Sequence, residues 1–197
     1  MLVLASASPR RRELLTQAGF SFDVRPAHIP EDPHEDEDPI AYVTRLAREK
    51  AEVVYRELSA DGGADGTLVV LGADTTVTLD NHILGKPEDA ADAARMLRML
   101  SGRSHHVITG VAVVTARGAE VAAEVTAVRF LTLTDAEIAD YVATGEPMDK
   151  AGAYAIQGIA SRWVERIDGC YFNVVGLPVP RVYRMLRTLG AKEGVRY

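Results

Sequence analysis

The amino-acid sequence predicts an α/β fold in which helices flank one long, twisted, mixed sheet. Short apolar runs of strand length alternate with stretches whose apolar residues recur at helical spacing. Two longer extended stretches, residues 105–115 and 119–131, are joined by Arg117 and Gly118, an arrangement typical of a hairpin. Because both kinds of element occur along the whole chain, we expect the strands to share one sheet and the helices to cover its faces.

The first half of the chain predicts strands and helices in turn. Pro9 favours the first position of a helix, and Gly19 favours the position just after its last turn. Val43, Leu46 and Val54 recur at helical spacing and mark a longer helix. In chain order the predicted elements are a strand at 2–5, a helix at 9–18, a short strand at 20–24, a helix at 40–58, a loop at 59–66, an extended stretch at 67–79, a turn at 80–81 and a helix after Pro87 that ends at Ser101 and Gly102.

The second half begins with the hairpin and continues with a capped helix. Thr134 and Glu137 have the spacing of a capping box, which predicts a helix to about Ala143. Glycine, proline and small residues make residues 144–158 a loop-rich stretch. A strand at 163–167, a turn at 168–169 and a final helix at 179–189 follow.

Composition places the chain among ordinary globular proteins. Its 197 residues are 47% hydrophobic and 25% charged, which predicts one domain, or one domain with two lobes. A net charge of −6 argues against a protein that coats nucleic acid, but it leaves room for a small basic pocket that holds a nucleotide. No apolar run is long enough to span a bilayer and no basic segment precedes the first one, so we expect a cytoplasmic protein without membrane contact. Cys170 is the single cysteine, and we expect a small buried side chain rather than a nucleophile.

The opening strand, turn and helix predict a phosphate-binding site. A helix N-terminus offers unpaired N–H groups and the positive end of a dipole, and here it follows the hydroxyls of Ser6 and Ser8. Arg10 and Arg11 add positive charge, and Arg11 lies on the core-facing stripe of the helix. Arg12 is better explained as a solvated side chain.

Basic residues elsewhere in this acidic chain are candidates for the same site. Lys50 lies on the apolar face of the helix at 40–58, where a lysine either extends its ammonium to the surface or points into a cleft. The sequence leaves these two alternatives open. Lys86 and Lys150 lie in proline- or glycine-rich contexts, and with Arg10 and Arg11 they supply enough positive charge for a polyphosphate.

Asp74 is the strongest candidate for a reacting group. It follows the apolar run at 68–73, and strand ends in α/β proteins open into ligand crevices. The alternative is an aspartate that caps a turn. The acidic segment at 26–39 reads mostly as a solvated run of charges, but Glu31 with Asp74 has the chemistry to hold a magnesium-like ion. The five histidines lack zinc-site spacing, and the P-loop, dinucleotide-binding and nucleophile-elbow motifs are absent from the sequence.

Eight segments, in this order, resemble the Maf family of nucleoside triphosphate pyrophosphatases, once described as inhibitors of septum formation. The segments are Ser6-Ala-Ser-Pro-Arg-Arg11, Arg45-Leu-Ala-Arg-Glu-Lys-Ala51, Gly72-Ala-Asp-Thr75, Gly85-Lys-Pro87, Leu100-Ser-Gly102, Asp149-Lys-Ala-Gly-Ala-Tyr154, Ile156-Gln-Gly158 and Val175-Gly-Leu-Pro178. The resemblance runs over nearly the whole chain and implies a single Maf-like domain at 1–197, with two lobes and a deep cleft similar to that of inosine triphosphate pyrophosphatases. It also implies a divalent cation, magnesium or manganese, and often a homodimer.

The resemblance implies hydrolysis between the α and β phosphates and assigns roles to particular residues. Asp74 is the general base and Lys86 the second catalytic candidate. The residues implied for the phosphate and metal site are Ser6, Arg10, Arg11, Glu31, Lys50, Asp74 and Lys86.

Three positions of the resemblance indicate the substrate. Arg10, Thr75 and Gln157 match the branch that acts on dTTP and UTP, whereas the branch that acts on 7-methyl-GTP usually has tryptophan, glutamine and a Ser-Glu-Gly-like segment there. Gln157 has both a donor and an acceptor, which suits the carbonyl and N–H edge of a pyrimidine. The alternatives are a pyrophosphatase for modified nucleotides such as 7-methyl-GTP, and a nonenzymatic nucleotide-binding regulator of cell division.

Overall fold

A computed structural model describes residues 1–60 and 67–193, and it has the predicted α/β architecture. The strands are β1 (Leu2–Leu4), β2 (Asp23–Val24), β3 (Val69–Leu79), β4 (His82–Leu84), β5 (Ser104–Thr115), β6 (Gly118–Phe130) and β7 (Val164–Asp168). The α-helices are α1 (Pro9–Gln17), α2 (Pro39–Ala60), α3 (Ala90–Leu100), α4 (Asp135–Ala143), α5 (Tyr171–Val175) and α6 (Val179–Glu193). Of the loop predicted at 59–66, residues 59 and 60 belong to α2, and 61–66 lie outside the described residues.

The strands form one mixed sheet in the order β2-β1-β3-β5-β6-β7, with β4 also paired to β3. β1 is parallel to both β2 and β3, and the remaining pairs are antiparallel. Thr115 pairs with Gly118 at the end of the β5–β6 hairpin, so the turn consists of residues 116 and 117, one position before the predicted pair Arg117 and Gly118. The predicted mixed sheet flanked by helices is therefore confirmed.

Each face of the sheet has its own apolar core. Successive residues of a strand point to opposite faces, so the even-numbered residues of β3 face α2 and the odd-numbered ones face the other helices. The core under α2 consists of Val3, Ala5, Ala47, Ala51, Val54, Leu68, Val70, Ala112 and Val114. The larger core on the other face includes Leu14 and Leu15 of α1, Leu97 of α3 and Leu186 of α6. Asp74 consequently points towards α2, and Thr75 points to the opposite face.

Two glycines bring α2 unusually close to the sheet. A Cβ atom on Gly72 of β3 would lie 2.1 Å from the Ala47 carbonyl oxygen, and one on Gly110 of β5 would lie 2.2 Å from the Val43 carbonyl oxygen. Any side chain at either position would therefore collide with the helix backbone. Because the backbone of α2 lies this close to the sheet, a side chain on that face of α2 can reach the residues of β3.

The sheet is interrupted along one edge of β3. β1 pairs with residues 69–71 on this edge and β4 with residues 77–79, whereas β5 pairs with residues 70–78 on the opposite edge. Within the described ranges, no strand pairs with residues 72–76 on the interrupted edge. The break exposes the middle of β3, including Asp74, to a cleft.

Two short elements differ from the sequence prediction. β4 has three residues and α5 has five, too few to produce a recognisable period. The predicted turn before β4 is present, with Asp80 and Asn81 at φ of 50° and 64°, a conformation that aspartate and asparagine tolerate better than most residues. The capping box of α4 is confirmed, because Thr134 and Glu137 each bond the other's backbone N–H.

Each of the helices over residues 1–60 and 67–193 is too short or too polar to cross a bilayer.

Candidate active site

A cleft of about 550 Å³ opens at the interrupted edge of β3. It is bounded by the turn between β1 and α1, by α2, by the segment after β4, and by residues 149–157 and 174–176. The structure brings all nine sequence-predicted site residues into its lining: Ser6, Arg10, Arg11, Glu31, Lys50, Asp74, Thr75, Lys86 and Gln157. Their roles in binding and catalysis stay predictions.

Arg11 donates hydrogen bonds at the interrupted edge of β3, where no strand pairs with residues 72–76 within the described ranges. Its Nη1 donates to the Ala73 carbonyl oxygen at 2.9 Å, a group on the open edge of β3. The same nitrogen donates to Ser6 Oγ at 3.1 Å, Nε donates to the Gly176 carbonyl oxygen at 2.9 Å, and Nη2 donates to Thr75 Oγ1 at 3.1 Å. Four of the five N–H groups of the guanidinium are therefore used by the protein. Arg11 ties α1, β3 and the segment after α5 together, and one N–H group remains for a ligand.

Arg11 keeps its positive charge although its guanidinium is buried. Desolvation lowers the pKa of its guanidinium from the ordinary value, and the nearby carboxylate of Asp74 offsets part of that effect. Arginine remains protonated at any working pH because its ordinary pKa is so high. Arg11 therefore brings a permanent positive charge into the cleft.

Lys50 lies between two carboxylates. Its Nζ atom is 2.6 Å from Asp74 Oδ1 and 2.6 Å from Glu31 Oε1. Lys50 and Asp74 are buried, with residue exposures of 7% and 8%, whereas Glu31 is half-exposed. A buried ammonium is stable only when it is paired, and here both partners are negatively charged. Of the two alternatives that the sequence leaves open for Lys50, the structure has the one in which it points into the cleft.

The cations around Glu31 lower the pKa of its carboxyl. Burial by itself would raise the pKa of its carboxyl, but the hydrogen bond and charge of Lys50, with the charges of Lys86 and Arg11, lower it below the ordinary value. Lys86 is exposed on the segment after β4 and lines the same cleft. Glu31, Lys86 and Arg11 thus share one electrostatic environment although they are far apart in sequence.

Thr75 belongs to a polar network on the opposite face of β3. Its Oγ1 lies 2.9 Å from Thr109 Oγ1 and 3.3 Å from the Gly176 carbonyl oxygen. Buried Asn173 of α5 donates to Thr126 Oγ1 and to the Val107 carbonyl oxygen, both at 2.9 Å, and so anchors α5 to the sheet. The network holds the Gly176 carbonyl where Arg11 bonds it.

Asp149 is the third carboxylate in the lining of the cleft, with Glu31 and Asp74. Its carboxylate pairs with Lys150 Nζ at 2.5 Å and with Arg10 Nη1 at 3.4 Å. Lys150 Nζ also donates to the Glu146 carbonyl oxygen at 2.8 Å. Arg10 and Lys150, both candidates for the polyphosphate site from the sequence, are therefore each bonded to protein groups as well as lining the cleft.

The cleft also has an apolar wall. Its apolar residues include Val77, Val107, Ala151, Ile156, Val174 and Val175, and Val77 and Val107 are direct cross-strand partners. Exposed Gln157 follows Ile156 in this lining. A flat ring with polar edges matches an apolar wall beside an amide, whereas the charged residues suit phosphates.

The metal chemistry of the cleft rests on two carboxylates. Within residues 1–60 and 67–193, three or more histidine, cysteine, aspartate or glutamate side chains do not converge as a metal cage. Glu31 and Asp74 do converge, on the ammonium of Lys50. Two carboxylates fit a magnesium-like ion that takes its remaining ligands from water and substrate phosphate.

Sequence reasoning missed the residues that support the acidic segment. The sequence places Glu37 in a solvated run of charges, whereas in the structure its carboxylate pairs with Arg45 and its side chain is only 9% exposed. The sequence signal was an arginine on α2 within reach of that run. Cys170 differs as well: the sequence predicts a buried side chain, but the residue is half-buried, because it directly follows the exposed turn at 168–169 and precedes α5.

Comparisons with known proteins agree with the geometry. The family model for the Maf-like proteins matches residues 1–189. A dTTP/UTP pyrophosphatase of Koribacter versatilis is 56% identical over 189 residues, which cover 96% of this chain and 94% of the relative. The proteins of the same name from Geobacter sulfurreducens and a Geobacillus species are 55% and 51% identical, with 96% of this chain and 97% and 98% of the relatives covered.

Proposed function

This chain belongs to the Maf family, and we propose that it hydrolyses dTTP and UTP between the α and β phosphates, releasing the nucleoside monophosphate and pyrophosphate. The names of relatives that are 51–56% identical over nearly their whole length support this substrate. The observation that carries the proposal is the row Asp74–Lys50–Glu31, with 2.6 Å between neighbours, inside a cleft lined by further cations.

The charges of the cleft suit a triphosphate. Five cationic side chains and three acidic ones line it, although the chain as a whole has a net charge of −6. The cations are Arg10, Arg11, Lys50, Lys86 and Lys150. Phosphoryl transfer depends on positioning and on neutralising charge on the phosphate oxygens, which preorganised cations do without reorganising during the reaction.

Asp74 serves as the general base in this proposal. A water oxygen bonds to the α-phosphorus, its proton passes to the Asp74 carboxylate, and the bond from the α-phosphorus to the bridging oxygen breaks. The bridging oxygen leaves with the pyrophosphate, whose growing charge Lys86 neutralises. Lys50 orients the carboxylate because its Nζ is 2.6 Å from Oδ1.

Glu31 and Asp74 are the proposed ligands of a magnesium or manganese ion. The two carboxylates lie close together, each 2.6 Å from Lys50 Nζ, and carboxylate oxygens are the ligands that magnesium prefers, which supports the assignment. When bound, the ion supplies charge neutralisation at the phosphate oxygens. The protein supplies the two carboxylates and the fixed α2 and β3 backbone behind Asp74.

Gln157 is the proposed reader of the pyrimidine. Its amide offers one acceptor and two donors, which complement the carbonyl and N–H groups that uracil and thymine share. The apolar wall at Val77 and Val107 lies in the same cleft and would take the face of the ring.

A substrate panel tests the proposal directly. Pyrophosphate release is measured from dTTP, UTP, CTP, GTP, ATP and 7-methyl-GTP, each with magnesium, manganese and cobalt. We expect the highest kcat/KM on dTTP and UTP, with the nucleoside monophosphate as the other product. Fastest turnover of 7-methyl-GTP would contradict the substrate assignment. Nucleotide binding without pyrophosphate release under all three metals would favour the nonenzymatic regulator.

A further inference from the structure

We propose that Arg45 is a positioning residue: it fixes the acidic loop at residues 31–38 against α2, so that Glu31 is held at the cleft. The inference rests on the proposed function in one respect, since it takes Glu31 as a carboxylate of the substrate and metal site. Arg45 itself does not line the cleft.

The guanidinium of Arg45 joins the loop at two points. Its Nε and Nη2 atoms each donate to one carboxylate oxygen of Glu37 at 2.7 Å, which is a bidentate pair. Nη2 also donates to the Asp32 carbonyl oxygen at 3.1 Å, one residue from Glu31. Arg45 therefore bonds both the side chain at the far end of the loop and the backbone at its near end.

Tyr42 completes the attachment from the same face of α2. Its hydroxyl donates to the Glu31 carbonyl oxygen at 2.9 Å, and the Arg45 guanidinium lies 5.7 Å from the centre of its ring. Residues three apart on a helix are neighbours, so the two side chains form one surface under the loop. With its backbone bonded there, Glu31 has its carboxylate 2.6 Å from Lys50.

Electrostatic repulsion makes such an attachment necessary. The loop contains six acidic residues: Glu31, Asp32, Glu35, Asp36, Glu37 and Asp38. Like charges this close favour an extended, solvated segment. The hydrogen bond to Arg45 lowers the pKa of Glu37 to about 2 against the opposing effect of burial. The pair is therefore fully ionised above the ordinary glutamate pKa and is lost only as the pH falls towards about 2.

The geometry requires arginine and excludes lysine as an equivalent. Three bonds leave from two adjacent nitrogens of one planar group towards a carboxylate and a carbonyl. An ammonium is a single point of charge and cannot match the fork of the carboxylate while also reaching Asp32. We expect Arg45→Lys to behave like Arg45→Gln at the loop.

The test compares Arg45→Gln with Arg48→Gln, a matched control three residues further along α2. Arg48 is exposed and its ion pair is with Glu52 of the same helix, so its loss leaves the loop contacts in place. Amide hydrogen exchange of residues 31–37 is measured in the free protein, and Mn²⁺ affinity is measured by electron paramagnetic resonance without nucleotide. For Arg45→Gln we expect exchange of these amides to be faster by roughly 10-fold or more, and Mn²⁺ affinity to be roughly 10-fold weaker, as when a group that orients a metal ligand is removed. Arg48→Gln should match the unchanged protein in both.

Glu37→Gln and the double variant Arg45→Gln/Glu37→Gln make the test specific. If the two residues act through each other, each single variant loosens the loop, and the double variant is scarcely worse than Arg45→Gln, which already lacks the bonds to both Glu37 and Asp32. The KM for the metal–nucleotide complex should rise in these variants while kcat at saturating metal stays within about 2-fold, since the groups that touch the substrate are unchanged.

Failure of this inference differs from failure of the proposed function. Unchanged exchange at residues 31–37 in Arg45→Gln overturns the positioning role, even in a protein that releases pyrophosphate normally. Unchanged Mn²⁺ affinity in a variant whose loop does exchange faster overturns the link between the loop and the metal site. A chain that releases no pyrophosphate from any nucleotide overturns the proposed function instead, and the exchange result then still decides whether Arg45 holds the loop.

Discussion

Lys50 illustrates, at the scale of one residue, how its neighbours decide the role of a side chain. It lies on the apolar stripe of α2, where the sequence is compatible with an ammonium at the surface or in a cleft. The structure pairs the ammonium with Asp74 and Glu31 at 2.6 Å each. Two carboxylates offset the cost of desolvating a cation, which an apolar environment alone would not do.

Asp74→Asn is the most direct test of the reacting group. The amide keeps the shape of the side chain but cannot accept a proton from water, so we expect kcat on UTP to fall by about 10²–10⁴-fold or more while the fold survives. Asp135→Asn is a matched control, because Asp135 is an exposed residue at the start of α4 whose partner is Arg98 on the surface. Its kcat should be unchanged. Full activity in Asp74→Asn would remove Asp74 from the mechanism.

Gln157→Glu tests the assignment of the pyrimidine reader. A carboxylate lacks the amide donors, so we expect the ratio of kcat/KM for UTP to that for GTP to fall, by about 10-fold if a bidentate contact is lost. Gln17→Glu, at the exposed end of α1, makes the same change of charge away from the cleft and should leave the ratio unchanged. Equal ratios in all three proteins would exclude this role for Gln157.

At the scale of secondary structure, the decisive contact is between α2 and the sheet. Gly72 and Gly110 allow the helix backbone to lie directly on β3 and β5, which brings Lys50 over Asp74. The interrupted edge of β3 then opens the cleft beside Asp74, because β1 ends before this residue and β4 begins after it. The site therefore depends on how two elements pack and on where two others stop.

Gly110→Ala tests the close packing of α2. The added methyl would lie 2.2 Å from the Val43 carbonyl oxygen, a backbone atom that cannot move without displacing the helix. We expect the free energy of unfolding to fall by about 1–3 kcal/mol, and kcat to fall because Lys50 shifts from Asp74. Urea unfolding and pyrophosphate release measure the two effects. Gly85→Ala, where no atom lies within 4 Å of the new Cβ, is the control for stability and should unfold at the same urea concentration.

At the scale of the whole molecule, the larger core links the sheet to the loop-rich stretch that closes the cleft. His105 of β5 is buried and its Nε2 lies 2.8 Å from the Tyr154 hydroxyl, while edge-to-face ring contacts join both to Phe130. Burial, with a smaller effect from His106, lowers the pKa of His105 to about 3. A neutral buried histidine in this position couples the stability of the fold to pH.

The sign of that coupling gives a further prediction. Below the ordinary histidine pKa of about 6.5, this histidine binds a proton in the unfolded chain but stays neutral in the folded chain. The free energy of unfolding therefore falls as the pH falls from about 6.5 towards 3, by at most about 1.4 kcal/mol per pH unit. His105→Gln keeps a polar partner for Tyr154 but removes the titrating group. We expect its free energy of unfolding to depend less steeply on pH between 6 and 4. The matched control His106→Gln, on the exposed face of the same strand, should retain the original slope, and an unchanged slope in His105→Gln would contradict the assignment.

Sequence reasoning succeeded where a local pattern and a local cause coincide. Pro9 begins α1, Thr134 and Glu137 form the capping box of α4, and the hairpin turn lies within one residue of the predicted pair Arg117 and Gly118. It missed β4, α5 and the pairing of Glu37 with Arg45, because three- and five-residue elements have no readable period and an ion pair between a loop and a helix depends on their separation in space.

The sequence alone determined the fold class, the order of most elements and the candidate residues of the site. Periodicity, turn chemistry and family motifs are local patterns, so each can be recognised from neighbouring residues. The tertiary structure alone decided that Lys50 pairs with both Asp74 and Glu31, and that four N–H groups of Arg11 donate to protein acceptors. It also decided that the edge of β3 is unpaired beside Asp74. The physical reason is that these are contacts between residues far apart in sequence. Their distances follow from the packing of α2 on two glycines and from the lengths of neighbouring strands, which no local pattern contains.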